Sequence, residues 1–138
     1  MELPIVLLFA AVIVVGLVLM AVMGMGRKRS KKLDVATFQK AWDDIESSIT
    51  SDNNTFQFAI IQADKLLDKA LKESGYAGTT MAERMTSASR AFSQREAVWT
   101  AHKLRNRIAH EHTAKINPIW AKKALKSFKR ALKDVGAL

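Results

Sequence analysis

The pattern of hydrophobic positions changes once along the chain, and abruptly. From Leu3 to Gly26 there is no charged residue, and the run from Pro4 onward is dominated by Val, Leu, Ile, Ala and Met. As a helix rising about 1.5 Å per residue it would extend roughly 35 Å, enough for a hydrocarbon core of about 30 Å. Beyond it, apolar residues recur at steps of three and four, and no strand-like alternation is present. Val35, Phe38, Trp42, Ile45 and Ile49 make one stripe. Phe56, Ile60, Ala63, Leu67 and Ala70 make a second, and Ala121, Leu125, Phe128, Leu132 and Val135 a last.

Polar and turn-forming residues separate these stripes. Ser51-Asp52-Asn53-Asn54 ends the first helix and offers an N-cap for the next, which stops at Gly75-Tyr76-Ala77-Gly78. Thr80 with Glu83, and Ser93 with Glu96, read as capping boxes. They open a short helix through Phe92 and a longer one to about His110. Asn117-Pro118 marks the last start, a cap followed by proline at the first helical position. The expectation is an all-α chain: a transmembrane helix over 1–26, a basic juxtamembrane linker over 27–33, and a four- to five-helix bundle over 34–138. Its 138 residues leave room for one span and one domain. Whether the 34–50 helix joins the bundle or stands as a stalk is left open by the pattern.

Charge adds a direction. The net charge is +9, and the cluster Arg27, Lys28, Arg29, Lys31 and Lys32 follows the apolar run at once. A secretory signal peptide would begin with positive charge and carry a shorter apolar stretch. Here Glu2 precedes a long one, so a retained span is the better reading. Basic residues beside a span stay on the cytoplasmic side, which puts the N-terminus outside and the domain in the cytoplasm. The same five residues suit anionic lipid headgroups. Residues 33–138 hold 17 basic against 12 acidic residues, so the soluble part is itself basic and suits an anionic partner. On the last helix Lys122, Lys126 and Lys129 form either a solvated face or a track for an RNA backbone.

Chemistry narrows to one segment. The absence of cysteine excludes disulfides, zinc thiolate sites and cysteine nucleophiles. Glycine-rich phosphate loops, paired-histidine metal helices and nucleophile elbows are also missing. All three histidines, His102, His110 and His112, lie between Ala101 and His112, interleaved with Lys103, Arg105 and Arg107. Trp42, Trp99 and Trp120 read as core anchors rather than base-stacking platforms. Asp64 and Asp68 on the second helix either face this histidine-bearing segment or are solvated carboxylates on an amphipathic helix, the commoner case.

The stretch Arg105-Asn106-Arg107-Ile108-Ala109-His110 resembles the signature of the HEPN superfamily, small helical bundles that include many metal-independent ribonucleases. Its hallmark is an arginine, four to six residues, then a histidine, often with a polar residue after the arginine. Arg95 with His102, and Arg105 or Arg107 with His112, satisfy the same spacing. Asn106, the small Ala109 and the helix-end position single out Arg105 and His110. The likeness spans most of residues 54–135 and leaves the span and the 34–50 helix unexplained.

The resemblance implies a nuclease without cofactor or metal. RNA is cut when its own 2′-hydroxyl attacks the adjacent phosphate, leaving a 2′,3′-cyclic phosphate and a 5′-hydroxyl. His110 would be the general acid or base, Arg105 would stabilise the transition-state charge, and Asn106 would orient the histidine or a phosphate oxygen. His112 and His102 are accessory candidates. Residues five apart on a regular helix lie about 140° apart, so Arg105 and His110 do not share a face. Either the helix loosens before His110, or a second protomer completes the site; the family's usual pairing of two motifs at a dimer interface favours a homodimer. The implied partners are single-stranded RNA and, in toxin-type relatives, an antitoxin protein. Those relatives often continue His-x-Tyr, where this chain has His112, which puts regulation through that tyrosine in doubt. The alternatives are a non-catalytic membrane-anchored module binding protein or RNA, and a structural protein holding lipid headgroups.

Overall fold

The computed structural model describes residues 2–25, 31–111, 113 and 115–138. Six helices account for the regular structure of the described residues, with no strand among them: α1 (Glu2–Met25), α2 (Val35–Ser47), α3 (Asn53–Glu73), α4 (Met81–Ser87), α5 (Arg95–His110) and α6 (Pro118–Asp134). The chain is all-α.

In α1 every side chain from Leu3 to Ala21 is exposed, including all seven Leu and Ile residues of that stretch. Each large aliphatic side chain left in water forgoes about 1.5–3 kcal/mol of burial free energy. The helix is long and apolar enough to cross a membrane, and its exposure on all sides is what a hydrocarbon surrounding would relieve.

The remaining helices share one core, with α3 at its centre. Ala59, Ile60, Ala63, Leu67, Ala70 and Leu71 are fully buried on α3, and the small alanines let α5 and α6 approach closely. Phe38, Trp42 and Ile45 bury α2 against α3, so the 34–50 segment belongs to the bundle and is no stalk. Phe128 and Leu132 of α6 and Val98 of α5 close the other side.

Helix ends follow the local chemistry in most cases. Asp34 accepts from the Thr37 amide, Asp52 from Asn54 and Asn117 from Ile119, each satisfying an orphan donor of a first turn. Thr80 and Glu83 form the full capping box. Gly75, at φ +85°, ends α3: the Tyr76 amide reaches back to the Leu71 carbonyl and Gly75 to Lys72.

Three expectations are corrected, the first being the short helix opened at Thr80, which ends at Ser87 and not at Phe92. Ser93 and Glu96 make no capping box, because α5 begins at Arg95 without a side-chain cap. The amide and hydroxyl of Ser93 instead donate to the Asp134 carboxylate at 2.8 and 2.7 Å, a charged acceptor that outcompetes a backbone partner. That contact also joins the start of α5 to the end of α6, so the two run antiparallel. The third correction concerns the tryptophans. Trp42 is buried at 1% exposure and Trp99 is half-buried, but Trp120 stands 56% exposed and anchors no core.

Candidate functional site

On α5, His102, Arg105 and Asn106 are related by steps of three and four and share one face. That face meets Asp64 of α3, which is only 3% exposed. His102 Nδ1 and Asp64 Oδ1 are 2.7 Å apart in the buried interior. Asn106 Nδ2 lies 3.3 Å from His102 Nε2, and Arg105 Nη1 donates to Asn106 Oδ1 at 3.0 Å. Arg105 Nε returns to Asp64 Oδ2 at 3.3 Å, closing the ring of contacts. This last approach is an ion pair by distance only, since the Nε–H is buried and misaligned for a hydrogen bond.

Donor and acceptor polarity orders the network. A guanidinium only donates, so Asn106 must turn its carbonyl oxygen to Arg105 and its amide nitrogen to His102. A carboxylate only accepts, so His102 donates from Nδ1 to Asp64 and accepts from Asn106 at Nε2. Arg105 is thereby held by Asp64 on one side and Asn106 on the other, with 29% of its side chain still exposed. A cation fixed in this way presents its outer donors without a rotamer search, the preorganisation that anion stabilisation requires.

His110 lies elsewhere. It is exposed on the last turn of α5, and the Glu111 amide donates to the Arg107 carbonyl at 2.9 Å, so the helix stays regular through that turn. The helix does not loosen before His110, and within one chain Arg105 and His110 stay on different sides of α5. A histidine at a helix C-terminus is placed where the aligned backbone dipole favours positive charge. His112 lies outside the described residues, as do Arg27, Lys28 and Arg29.

The other basic candidates divide. Lys31, Lys32, Lys122 and Lys126 are exposed. Lys129 is engaged within the fold, 2.8 Å from Glu46 Oε1 and 5.7 Å from the Trp42 ring centre. Among the described residues no cluster of three His, Asp or Glu side chains converges as a metal ion would need.

Asp64 takes the less common of its two expected states, buried against α5 and not solvated. Its position carried the signal: four after Ile60 and three before Leu67, it sits on the apolar stripe. A charge on a buried stripe demands a partner, and His102 on the inner face of α5 supplies it. Asp68, one turn on, is also engaged: Arg84 of α4 donates to both its oxygens, at 2.7 and 3.1 Å. Partial burial pushes the Asp68 carboxyl up, but the hydrogen bonds from Arg84 and Lys72 together outweigh it and hold its pKa below the ordinary 3.8.

Compared with known proteins, the chain matches no family model, no curated protein and no solved structure.

Proposed function

We propose that this chain is a membrane-tethered, metal-independent endoribonuclease of the HEPN type, acting as a homodimer on single-stranded RNA at the cytoplasmic face. The observation that carries the reading is the state of the Arg105-Asn106-x-x-x-His110 motif. Its arginine is locked by Asp64 and Asn106, while its histidine is exposed at a helix end, free to meet another surface. In the reaction the RNA 2′-hydroxyl loses its proton to a base as its oxygen bonds to phosphorus. The P–O5′ bond then breaks and the departing oxygen takes a proton. Arg105 donates to the phosphoryl oxygens as negative charge builds, and His110 handles one of the two proton transfers. Because a regular α5 separates them, the pair is completed across two protomers, Arg105 from one and His110 from the other. Tethering through α1 raises the local protomer concentration and favours that pairing. The basic cluster after α1 supports the cytoplasmic placement of the bundle.

The test is RNA cleavage by the full chain in detergent micelles, with EDTA present and the product ends analysed. Cyclic phosphate ends that vanish in His110→Ala and in Arg105→Ala support the nuclease. Mixing the two inactive variants restores part of the activity if the site is shared between protomers, because one site of each mixed dimer is then intact. A folded chain that never cuts RNA overturns the reading.

A second reading, a non-catalytic membrane-anchored module, is favoured by one observation. The network of Asp64, His102, Asn106 and Arg105 closes on itself within a single chain and does not include His110. On that reading the four residues hold α5 to α3, and the bundle's exposed basic surface binds its partner.

A further inference from the structure

The exposed Trp120 borders a groove of about 680 Å³ between α5 and α6. Two ridges bound it. Thr100, Lys103 and Arg107 step along α5 by three and four, and Trp120, Lys123 and Ser127 do the same along α6. Its apolar lining comes from Leu104 and the small Ala97, Ala101 and Ala124. Three of its lining residues are cationic and one, Glu96 at the far end, is anionic. Arg107 also contacts Glu111 at 3.3 Å, but both are about half exposed, and such a surface pair contributes little. Around a regular helix His110 sits about 60° from Arg107 and nearly one turn beyond it.

We propose that this groove binds a segment of single-stranded RNA, with Trp120 as the platform for one base and Lys103, Arg107 and Lys123 holding the neighbouring phosphates. An exposed aromatic interleaved with cations is the arrangement that serves strands without duplex structure, since every base has a stacking face and every linkage a charge. The concave shape selects a nucleobase over a flat lipid surface, which an aromatic meets by protruding. Thr100 and Ser127 add hydroxyls that donate to or accept from a base edge. The inference takes its partner class from the proposed RNA chemistry and adds where the strand lies: along α5 and α6, entering the reaction centre past His110.

The experiment uses the full chain in discs of phosphatidylcholine and a 2′-O-methyl oligouridine, which lacks the attacking hydroxyl and so reports binding apart from cleavage. Trp120→Ala should weaken binding by about 5- to 150-fold, the range measured for loss of one stacked base. Trp120→Phe should retain most of the affinity. Lys123→Ala should lower the slope of log affinity against log salt by about 0.7, the share of one phosphate on a single strand. Circular dichroism of each variant verifies the fold, and Lys123→Ala, fully on the surface, keeps the test decisive if Trp120→Ala does not fold. Unchanged affinity in Trp120→Ala and Lys123→Ala overturns the groove even where the wild type cleaves RNA. Quenching of Trp120 by brominated lipid in the discs, or a Trp120-dependent change in oligomeric state without RNA, assigns the face to membrane or to a second copy and also overturns it. Trp120-dependent binding in a chain that cuts no RNA upholds the groove while the nuclease reading falls.

Discussion

The two sides of α5 carry similar residues in opposite circumstances. Inward, His102 and Arg105 meet Asp64, and Asn106 bridges the two, so all three are engaged within the fold. Outward, Lys103, Arg107 and His110 face solvent, and the ion pair of Arg107 with Glu111 is exposed. The inner side uses polar groups as structure: burying charges is tolerable only because each has a partner, and removing one partner strands the rest. The outer side leaves its charges available, at almost no cost to the fold. On one helix, therefore, an arginine and a histidine near in sequence have different work. Arg105 is fixed in place, and His110 is free to meet what comes.

The largest effect expected from breaking this division is chemical. On the proposed nuclease reading, replacing His110 by Ala should lower RNA cleavage by about 100- to 10,000-fold, the usual share of one general acid or base, while thermal unfolding is unchanged. A melting point that falls with activity would falsify the assignment of His110 to the outer, functional side. On the inner side Asp64→Ala should destabilise the bundle by about 3–5 kcal/mol, seen as a fall of more than about 10 °C in the melting midpoint. Asp64→Asn, which keeps an acceptor for His102, should recover part of it. If both variants melt like the wild type, the network is not what holds α5 to α3.

Acid gives a smaller, signed effect. Because the folded Asp68 carboxyl lies below 3.8, its pair with Arg84 stabilises the fold above that pH and is lost as pH drops through the lower folded value. Asp68→Asn should lower stability on the order of 1 kcal/mol at neutral pH and flatten the acid side of the melting curve. A slope on acidification equal to that of the wild type would count against the pair. The smallest effect belongs to the outer side again. Arg107→Ala should change stability by less than about 0.5 kcal/mol by chemical denaturation, and a larger loss would mean that the exposed pair with Glu111 supports the fold.

Much of this architecture was readable from residue order. The apolar stripes, the exposed Val35 apart, the caps at Thr80 and Asn117 and the glycine stop after α3 are local: each depends on neighbours within a turn or two, and each is where the spacing put it. The candidate site was only half legible. The motif itself could be picked out, and helical geometry alone separated Arg105 from His110 around the axis. That His102 is buried while His110 is exposed could not be picked out, because the burial of His102 depends on Asp64, which lies 38 residues from it in the chain. Ser93 misled for the same reason, since its acceptor, Asp134, is 41 residues away.

By itself, then, the sequence determined the apolar N-terminal helix, the basic stretch behind it and the helical class of the rest, because propensity, periodicity and capping act over short distances. Tertiary structure alone decided that α2 packs into the bundle, that Asp64 is buried with a partner, and that Trp120 lines an open groove. Those outcomes depend on which helix faces lie opposite one another. A tryptophan is a core anchor or an exposed platform according to what stands across from it, and for Trp120 what stands across is a lining of alanines and a ridge of cations.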